Sequence, residues 1–327
     1  MGSSPLVNIE EVLPIREQLQ DDLFITCGSF EERFLGVPKK IKNYSPDKFV
    51  LFRFSEPNDK RNKLIEDMIN ILDITKYDKK YFEIKVDHGK SLESIIAFHN
   101  HLQRIRLISK DLVVTLDITT FTKDLLLNLM FYLTNFLRIK KLRLLYTIPR
   151  RYASPEEGWL SFGIQNVHLP PMLWNEWSPL KNDLLIIILG FEEMRAWSLI
   201  DRFSANQNWL ILTKPGSKPE WNLYCEEYNG RLLKEIKAKD SIPALDPAGV
   251  SKVFSKHITK EISDKYNVFV SPTGTKPQLI GVLDFVFSHS HIPINLITTD
   301  VVRHNVPYYS WGIGDTFEFF FYQRRDN

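Results

Sequence analysis

Two short segments rich in threonine and ending in lysine are the parts of this sequence best suited to chemistry. They are Asp117-Ile118-Thr119-Thr120-Phe121-Thr122-Lys123 and Ser271-Pro272-Thr273-Gly274-Thr275-Lys276. Each follows an apolar stretch typical of a buried strand and precedes a stretch with helical periodicity. Hydroxyl and backbone N–H groups at a helix start, followed by a lysine, can hold phosphate oxygens. Simple N-capping by threonine, with the lysine in solvent, is the alternative. Recurrence of the pattern favours a binding site with the candidate residues Thr119, Thr120, Thr122, Lys123, Thr273, Gly274, Thr275 and Lys276.

A second pair of polar segments also recurs, and each ends in an arginine. They are Gly28-Ser29-Phe30-Glu31-Glu32-Arg33 and Gly190-Phe191-Glu192-Glu193-Met194-Arg195. The spacing of Ser29 and Glu32 predicts a capping box, and the glutamates suit a helix N-terminus. An arginine one turn into such a helix can bind a phosphate or carboxylate through two parallel hydrogen bonds. We therefore add Ser29, Arg33 and Arg195 to the ligand-binding candidates, with a salt bridge to a neighbouring glutamate as the alternative for each arginine.

One residue of these segments has no counterpart in the other copy. Asp117 ends its strand, whereas the aligned position in the second copy is Val270. If the protein is an enzyme, Asp117 or Glu31 would be the catalytic general base, and Lys123 or Arg33 would stabilise developing charge. The difference predicts an asymmetric site in which the N-terminal copy is the more active one.

These segments belong to a longer internal repeat. Residues 22–33 resemble 183–195, and 49–62 resemble 209–222. Further along, 112–123 resemble 266–276, and 142–147 resemble 294–299, with the offset drifting from 161 to 152 residues. Four blocks in the same order indicate an internal duplication.

The pattern between the blocks predicts the fold class. Short apolar strands alternate with helical stretches at 60–72, 92–108 and 123–137, which is typical of crossover units around a mainly parallel sheet. We predict an α/β protein of two tandem Rossmann-like units related by duplication. The predicted division is unit one at 1–150, a connector at 151–180, and unit two at 181–327 with an aromatic C-terminal segment. That segment, 308–322, predicts a terminal strand or hairpin.

Composition restricts the class of partner and the compartment. Lysine and arginine total 42 against 40 acidic residues, for a net charge of +2, so no global attraction to nucleic acid or membrane is expected. Two cysteines, Cys27 and Cys225, suit a reducing compartment better than a disulfide scaffold. With no stretch of membrane-spanning length and no signal-peptide core near residue 1, a cytoplasmic protein is expected. No metal cluster, P-loop or dinucleotide-binding glycine pattern is present, so neither metal nor cofactor is predicted.

The repeated loops also carry a resemblance to a known class of protein. Tandem Rossmann-like units with Asp/Ser-x-Thr-x-x-Thr-Lys loops resemble the CARF and SAVED sensors of prokaryotic antiviral defence, and residues 273–277 are similar to a Thr-Gly-Gly-Thr-Lys loop of CARF domains. The resemblance implies a cyclic or linear oligonucleotide, or another phosphorylated signal, bound across a pseudo-twofold axis between the copies. It also implies a separate effector protein, because the two units occupy the whole chain. The sequence leaves the oligomeric state open, with a homodimer among the alternatives.

Three functions follow from these patterns. The first is a sensor of a phosphorylated nucleotide-type ligand, and the second is an enzyme that processes nucleotides or phosphodiesters at a site in unit one. The third is a scaffold subunit that docks through the aromatic tail and the connector.

Overall fold

The structure is a computed structural model that describes residues 13–14, 21–41, 46–74, 80–109, 111–154 and 156–322. The chain forms two compact units. Unit one comprises Met1–Tyr152 and Ser310–Asn327, and unit two comprises Ala153–Tyr309. The chain thus leaves unit one after Tyr152 and returns to it at Ser310.

Strands and helices alternate through the first part of unit one. In chain order they are β1 (Leu13–Pro14), β2 (Leu23–Cys27), a 3₁₀ turn (Glu32–Leu35), α1 (Gly36–Lys40), β3 (Lys48–Phe54), α2 (Asp59–Ile71), β4 (Tyr81–Val86), α3 (Ser91–Arg104), β5 (Val114–Asp117), α4 (Lys123–Phe131), a π-helical turn (Tyr132–Phe136) and β6 (Lys141–Tyr152).

Unit two shows the same alternation with shorter helices. Its elements are β7 (Ser161–His168), β8 (Asn182–Ile188), α5 (Glu193–Phe203), β9 (Gln207–Thr213), α6 (Tyr224–Tyr228), α7 (Leu232–Glu235), β10 (Ala238–Ile242), α8 (Pro247–His257), α9 (Lys260–Lys265), β11 (Tyr266–Pro272), α10 (Lys276–Ser288), β12 (Ile294–Leu296) and β13 (Thr298–His304), with 3₁₀ turns at Pro171–Leu173, Pro219–Trp221 and Val306–Tyr308. The last strand of the chain, β14 (Ser310–Tyr322), belongs to unit one.

Each unit contains a sheet with a parallel core. The order in unit one is β1-β14-β6-β5-β2-β3-β4, where β6 through β4 are parallel and β14 and β1 are added antiparallel. The order in unit two is β10-β9-β8-β11-β12, parallel throughout. When the five parallel strands of each unit are numbered in chain order, both sheets have the strand order 3-2-1-4-5. Each unit is therefore Rossmann-like, as predicted. The internal duplication stays a prediction from the sequence.

The aromatic C-terminal segment differs from its predicted place. It forms one long strand, with an irregularity between Ile313 and Thr316, that pairs antiparallel with β6 of unit one. Its assignment to unit two was wrong, as was the hairpin alternative. A buried ion pair fixes this pairing: Arg143 of β6 donates from Nε and Nη2 to Oε2 of Glu318 at 2.9 and 2.7 Å.

The predicted connector, 151–180, also contains regular structure. Arg151 and Tyr152 complete β6, and β7 pairs with β13 in a two-stranded antiparallel sheet of unit two. Arg202 of α5 holds β7 by donating to the carbonyls of Ile164 and Gln165. Periodicity missed β7 because only Ile164 in the strand is fully buried, which leaves little alternation to detect.

Aromatic packing fixes the strands that carry the polar loops of unit one. Phe24, Phe49 and Tyr81 stack across β2, β3 and β4, with ring centroids 5.0 and 5.9 Å apart. Phe52 of β3 packs against Phe98 of α3 at 5.5 Å. Burial of such rings dominates core stability, so the loops at the strand ends extend from a tightly packed sheet.

Candidate functional site

The four recurring polar segments all follow strands at the point where the strand order of a sheet reverses. In unit one this point lies between β2 and β5, and in unit two between β8 and β11. Doubly wound sheets bind their ligands in the crevice beyond the carboxyl ends of the strands at such a point. Residues 28–33 follow β2 and 118–123 follow β5, while 190–195 follow β8 and 273–276 follow β11.

Arg33 lies in a buried salt bridge with its near neighbour Glu31. Only 4% of Arg33 and 7% of Glu31 are exposed, and the guanidinium donates from Nε and Nη2 to the two carboxylate oxygens at 2.8 and 3.1 Å. Nη1 contacts the Thr147 carbonyl and the Tyr152 hydroxyl at 3.5 and 3.4 Å. Burial opposes the charge, but Glu31 and the nearby tyrosines outweigh it and raise the pKa of Arg33 well above its usual value. Arg33 thus forms the salt bridge that the sequence offered as the alternative to ligand binding. All three nitrogens of its guanidinium have partners.

Ser29 and Glu32 do not form the predicted capping box. The 3₁₀ turn begins at Glu32 without a side-chain cap. The Ser29 hydroxyl instead accepts the Glu31 N–H at 3.2 Å, and Glu32 accepts the Gly312 N–H of β14 at 2.8 Å. A second link to β14 is the Ser310 hydroxyl, which donates to Glu31 at 2.7 Å. The prediction failed because Ser29 accepts the N–H of Glu31 and because the Glu32 carboxylate is bound by a strand that is distant in sequence.

Asp117 is fully buried, and its carboxylate stabilises the loop that follows β5. One carboxylate oxygen accepts the Thr119 N–H at 3.0 Å, and the other accepts the Thr26 hydroxyl of β2 at 3.3 Å. Asp117 and Glu31, the two candidate general bases, therefore both make internal hydrogen bonds with both carboxylate oxygens. These contacts position the loops.

The threonines of the same loop connect it to neighbouring strands and to a helix. The Thr120 hydroxyl donates to the Cys27 carbonyl at the end of β2. The Thr119 hydroxyl accepts the Thr147 N–H of β6 at 2.9 Å. Thr122 caps α4, and the half-buried Lys123 is the first residue of that helix. The two polar segments of unit one are thus joined around the carboxyl end of β2.

The matching loop of unit two is built in a similar way. The Thr273 hydroxyl donates to the Ile188 carbonyl of β8 at 2.7 Å. Thr275 caps α10 in a complete capping box with Gln278, and Lys276, also half-buried, is the first residue of α10. A side chain at Gly274 would collide with the buried Gln278 side chain and would have to displace it.

Arg195 also pairs with a glutamate. Its Nη1 lies 2.9 Å from Oε2 of Glu192, whose Oε1 also accepts the Ser161 hydroxyl. The Nε atom of Arg195 is buried and makes no hydrogen bond to the described residues. Arg195 is therefore less completely satisfied than Arg33.

Sequence reasoning missed two side chains at these edges. Gln278, fully buried, accepts from Thr275 and Thr213 and donates to the Ile242 carbonyl. The Thr-x-x-Gln spacing could have revealed it, since it is a capping-box pattern. Arg61, at the start of α2, gave no such signal, because cations are disfavoured at helix N-termini.

No protein-family model matches this sequence, and no curated protein matches it in sequence either. The resemblance to CARF and SAVED sensors therefore stays a prediction from the sequence.

A surface cavity of unit two lies at the opposite edge of its sheet. It measures about 230 Å³ and is lined by Trp177, Lys181, Tyr266, Asn267 and neighbouring residues at the amino ends of β8 and β11. Within the described ranges, no group of three or more His, Cys, Asp or Glu side chains is placed to hold a metal ion. No helix in the described part of the chain is long and apolar enough to cross a bilayer.

Proposed function

We propose that this protein binds a phosphorylated, nucleotide-type ligand at the carboxyl edge of its parallel sheets and acts as a sensor. One observation carries the proposal. In each unit, a segment ending in Thr-Lys lies at the reversal of strand order and caps a helix there, α4 in unit one and α10 in unit two. Anions bind at helix N-termini because backbone N–H groups and the helix dipole favour negative charge.

The position of the two lysines supports an anionic ligand in particular. Lys123 and Lys276 are each the first residue of their helix. A cation at that position opposes the helix dipole at a cost of roughly 0.3–1 kcal/mol. A phosphate bound at the helix start would interact favourably with both the lysine and the helix dipole. A lysine at the first position of the helix in both units is the reason we prefer a ligand.

The remaining candidates have supporting roles in this proposal. Arg33 and Arg195 pair with glutamates and hold the loops in shape, and the Thr122 and Thr275 hydroxyls cap helices. Ligand oxygens would then be bound by the lysines and by backbone N–H groups. This arrangement supports binding without turnover, because Asp117 and Glu31 are buried in internal hydrogen bonds.

Signalling to a separate effector in prokaryotic defence is what the resemblance to CARF and SAVED sensors adds to the proposal. The connector supports the scaffold function as a second candidate, since Trp174, Trp177 and Leu180 are 51, 49 and 95% exposed. Apolar side chains clustered on a surface are typical of protein contacts. An effector that docks there would combine the two functions.

Calorimetric titration with AMP, ATP and linear and cyclic oligoadenylates tests the proposal. We expect one of these ligands to bind the wild type, and Lys123→Gln to weaken that binding by about tenfold or more, since a hydrogen bond to a charged group contributes roughly 1.5–3 kcal/mol. Lys276→Gln tests the matching position in unit two.

Lys140→Gln is the matched control. Lys140 is well exposed and pairs with Asp111 at 2.5 Å, so its removal should change affinity by no more than about twofold. The proposal is wrong if none of these ligands binds the wild type, or if Lys123→Gln and Lys276→Gln both bind like it.

A further inference from the structure

Arg61 is a buried arginine at the carboxyl edge of the unit-one sheet. It lies in the first turn of α2, where its N–H is capped by the Asn58 side chain at 2.8 Å, and only 6% of the residue is exposed. Its Nη1 donates to the carbonyl of Phe54, the last residue of β3, at 2.8 Å. The guanidinium carbon lies 5.7 Å from the centroid of the Phe54 ring.

Arg61 differs from Arg33 and Arg143, the other buried arginines in the described part of unit one, in having no carboxylate partner among the described residues. Arg33 pairs with Glu31, and Arg143 pairs with Glu318. No carboxylate among the described residues forms an ion pair with Arg61, and the nearby Glu56 lies 3.4 Å from the ring of His88 instead. Burial lowers the pKa of Arg61, and the charges of Cys27 and Glu56 partly offset this. An anion bound at the guanidinium would therefore stabilise its charge further.

One edge of the guanidinium is also without hydrogen-bond acceptors. Nε and Nη2 make no hydrogen bond to the described residues, whereas Nη1 is occupied by Phe54. These two nitrogens form the parallel donor pair with which arginine binds phosphate oxygens. In Arg33 the same two atoms bind the Glu31 carboxylate.

Packing holds Arg61 close to the loops of the proposed site. Gly28, directly after β2, allows α2 to approach, because a side-chain carbon there would lie 2.8 Å from Cδ1 of Ile65. The Gly28 N–H donates to Phe52 of β3 at 2.8 Å. The nearby Cys27 side chain is one of the two groups that partly offset the lowering of the Arg61 pKa by burial. The backbone carbonyl of Cys27 accepts the hydrogen bond from the Thr120 hydroxyl. The start of α2 and the loop after β5 therefore meet at the carboxyl end of β2.

We propose that Arg61 binds a phosphate group of the ligand through Nε and Nη2, next to the N-terminus of α2. This inference rests on the proposed function and deepens it. It assigns the phosphate to a position between β2 and β3, and it adds Arg61 to the two lysines of the proposed site. The ligand class is a phosphate monoester, a phosphodiester or a pyrophosphate, whose oxygens can accept two parallel hydrogen bonds.

A purely structural role predicts a different response to substitution. If Arg61 served only to close the end of β3, its loss would destabilise the protein without ligand. If it is held for an anion, removing the uncompensated charge leaves the stability of the ligand-free protein unchanged or raises it, as at other functional sites that sacrifice stability.

The test compares the full chain with its Arg61→Gln variant, using inorganic pyrophosphate and the nucleotides named above as probes. We expect Arg61→Gln to bind the probe at least about tenfold more weakly than the wild type does. The probe should raise the melting temperature of the variant less than that of the wild type. Without ligand, the variant should melt at a temperature no lower than the wild type. Arg61→Lys, which keeps the charge but not the donor pair, should recover only part of the affinity.

Lys140→Gln again serves as the control. Lys140 is well exposed and pairs with Asp111, so its loss should leave probe affinity within about twofold. If the wild type and Arg61→Gln bind equally, the assignment of Arg61 fails while the proposed function stands. If the wild type binds neither pyrophosphate nor any nucleotide, both fail. Unfolding of both Arg61→Gln and Arg61→Lys would assign Arg61 a structural role and overturn the inference.

Discussion

The Arg33→Met variant is expected to lose about 3–5 kcal/mol of unfolding free energy, because the buried Glu31 would lose the guanidinium that donates to both of its carboxylate oxygens. The reason is the burial of the pair, since the two side chains are 4 and 8% exposed. Urea unfolding followed by far-UV circular dichroism measures the loss. If Arg33 instead served to bind the anionic ligand, its substitution would lower the unfolding free energy of the ligand-free protein much less.

The control for this prediction removes both charges. Replacement of a buried ion pair by apolar side chains of similar volume is often neutral, so Glu31→Leu with Arg33→Met should recover most of the lost stability. Arg195→Met in unit two should cost less than Arg33→Met, since Arg195 and Glu192 are more exposed, at 10 and 13%. An Arg33→Met protein as stable as the wild type would return Arg33 to the ligand-binding candidates.

The second large effect is expected at Glu318. Glu318→Leu should cost about 3–5 kcal/mol, because the buried Arg143 in the unit-one sheet would lose the carboxylate that accepts from its Nε and Nη2. The same variant tests the placement of β14, since Arg143 and Glu318 lie 175 residues apart in sequence. Chemical denaturation of the full chain gives the measurement.

A double variant again provides the control. Arg143→Met combined with Glu318→Leu should be far more stable than either single change. Additive losses in the double variant, or a loss below about 1 kcal/mol for Glu318→Leu, would contradict the pairing of β14 with β6.

Local signals in the sequence were sufficient for the unit-one strands β2, β3, β5 and β6 and for the helices α2, α3 and α4. The buried strands β2 and β5 and the polar residues after them follow from apolar runs that end in Gly28 and Asp117. The helix predicted at 60–72 is observed at Asp59–Ile71, and the one at 123–137 is α4 with its π-helical turn. In these cases, residues a few positions apart determine the structure.

Long-range pairing could not be predicted in the same way. The aromatic residues of β14 indicate a strand, but nothing local tells which sheet it joins. Its partner is chosen by the Arg143 ion pair and by contacts of Ser310 and Gly312 with the loop after β2. The domain boundary was misplaced for that reason.

The candidate site was predicted in position better than in contacts. The polar loops lie at the strand ends as expected, but the partners of Arg33 and Asp117 depend on which strands become neighbours. Arg61 was missed because its lack of an acidic partner is a property of the folded chain.

Amide hydrogen exchange of the wild type, with and without the tightest-binding nucleotide, tests the central claim most directly. A ligand at the carboxyl edge of unit one should slow exchange in the loop after β2, at the start of α2 and at the start of α4, in peptides covering 28–35, 58–64 and 118–126. Protection confined to the cavity at the opposite edge of unit two, around Trp177 and Asn267, would contradict the account.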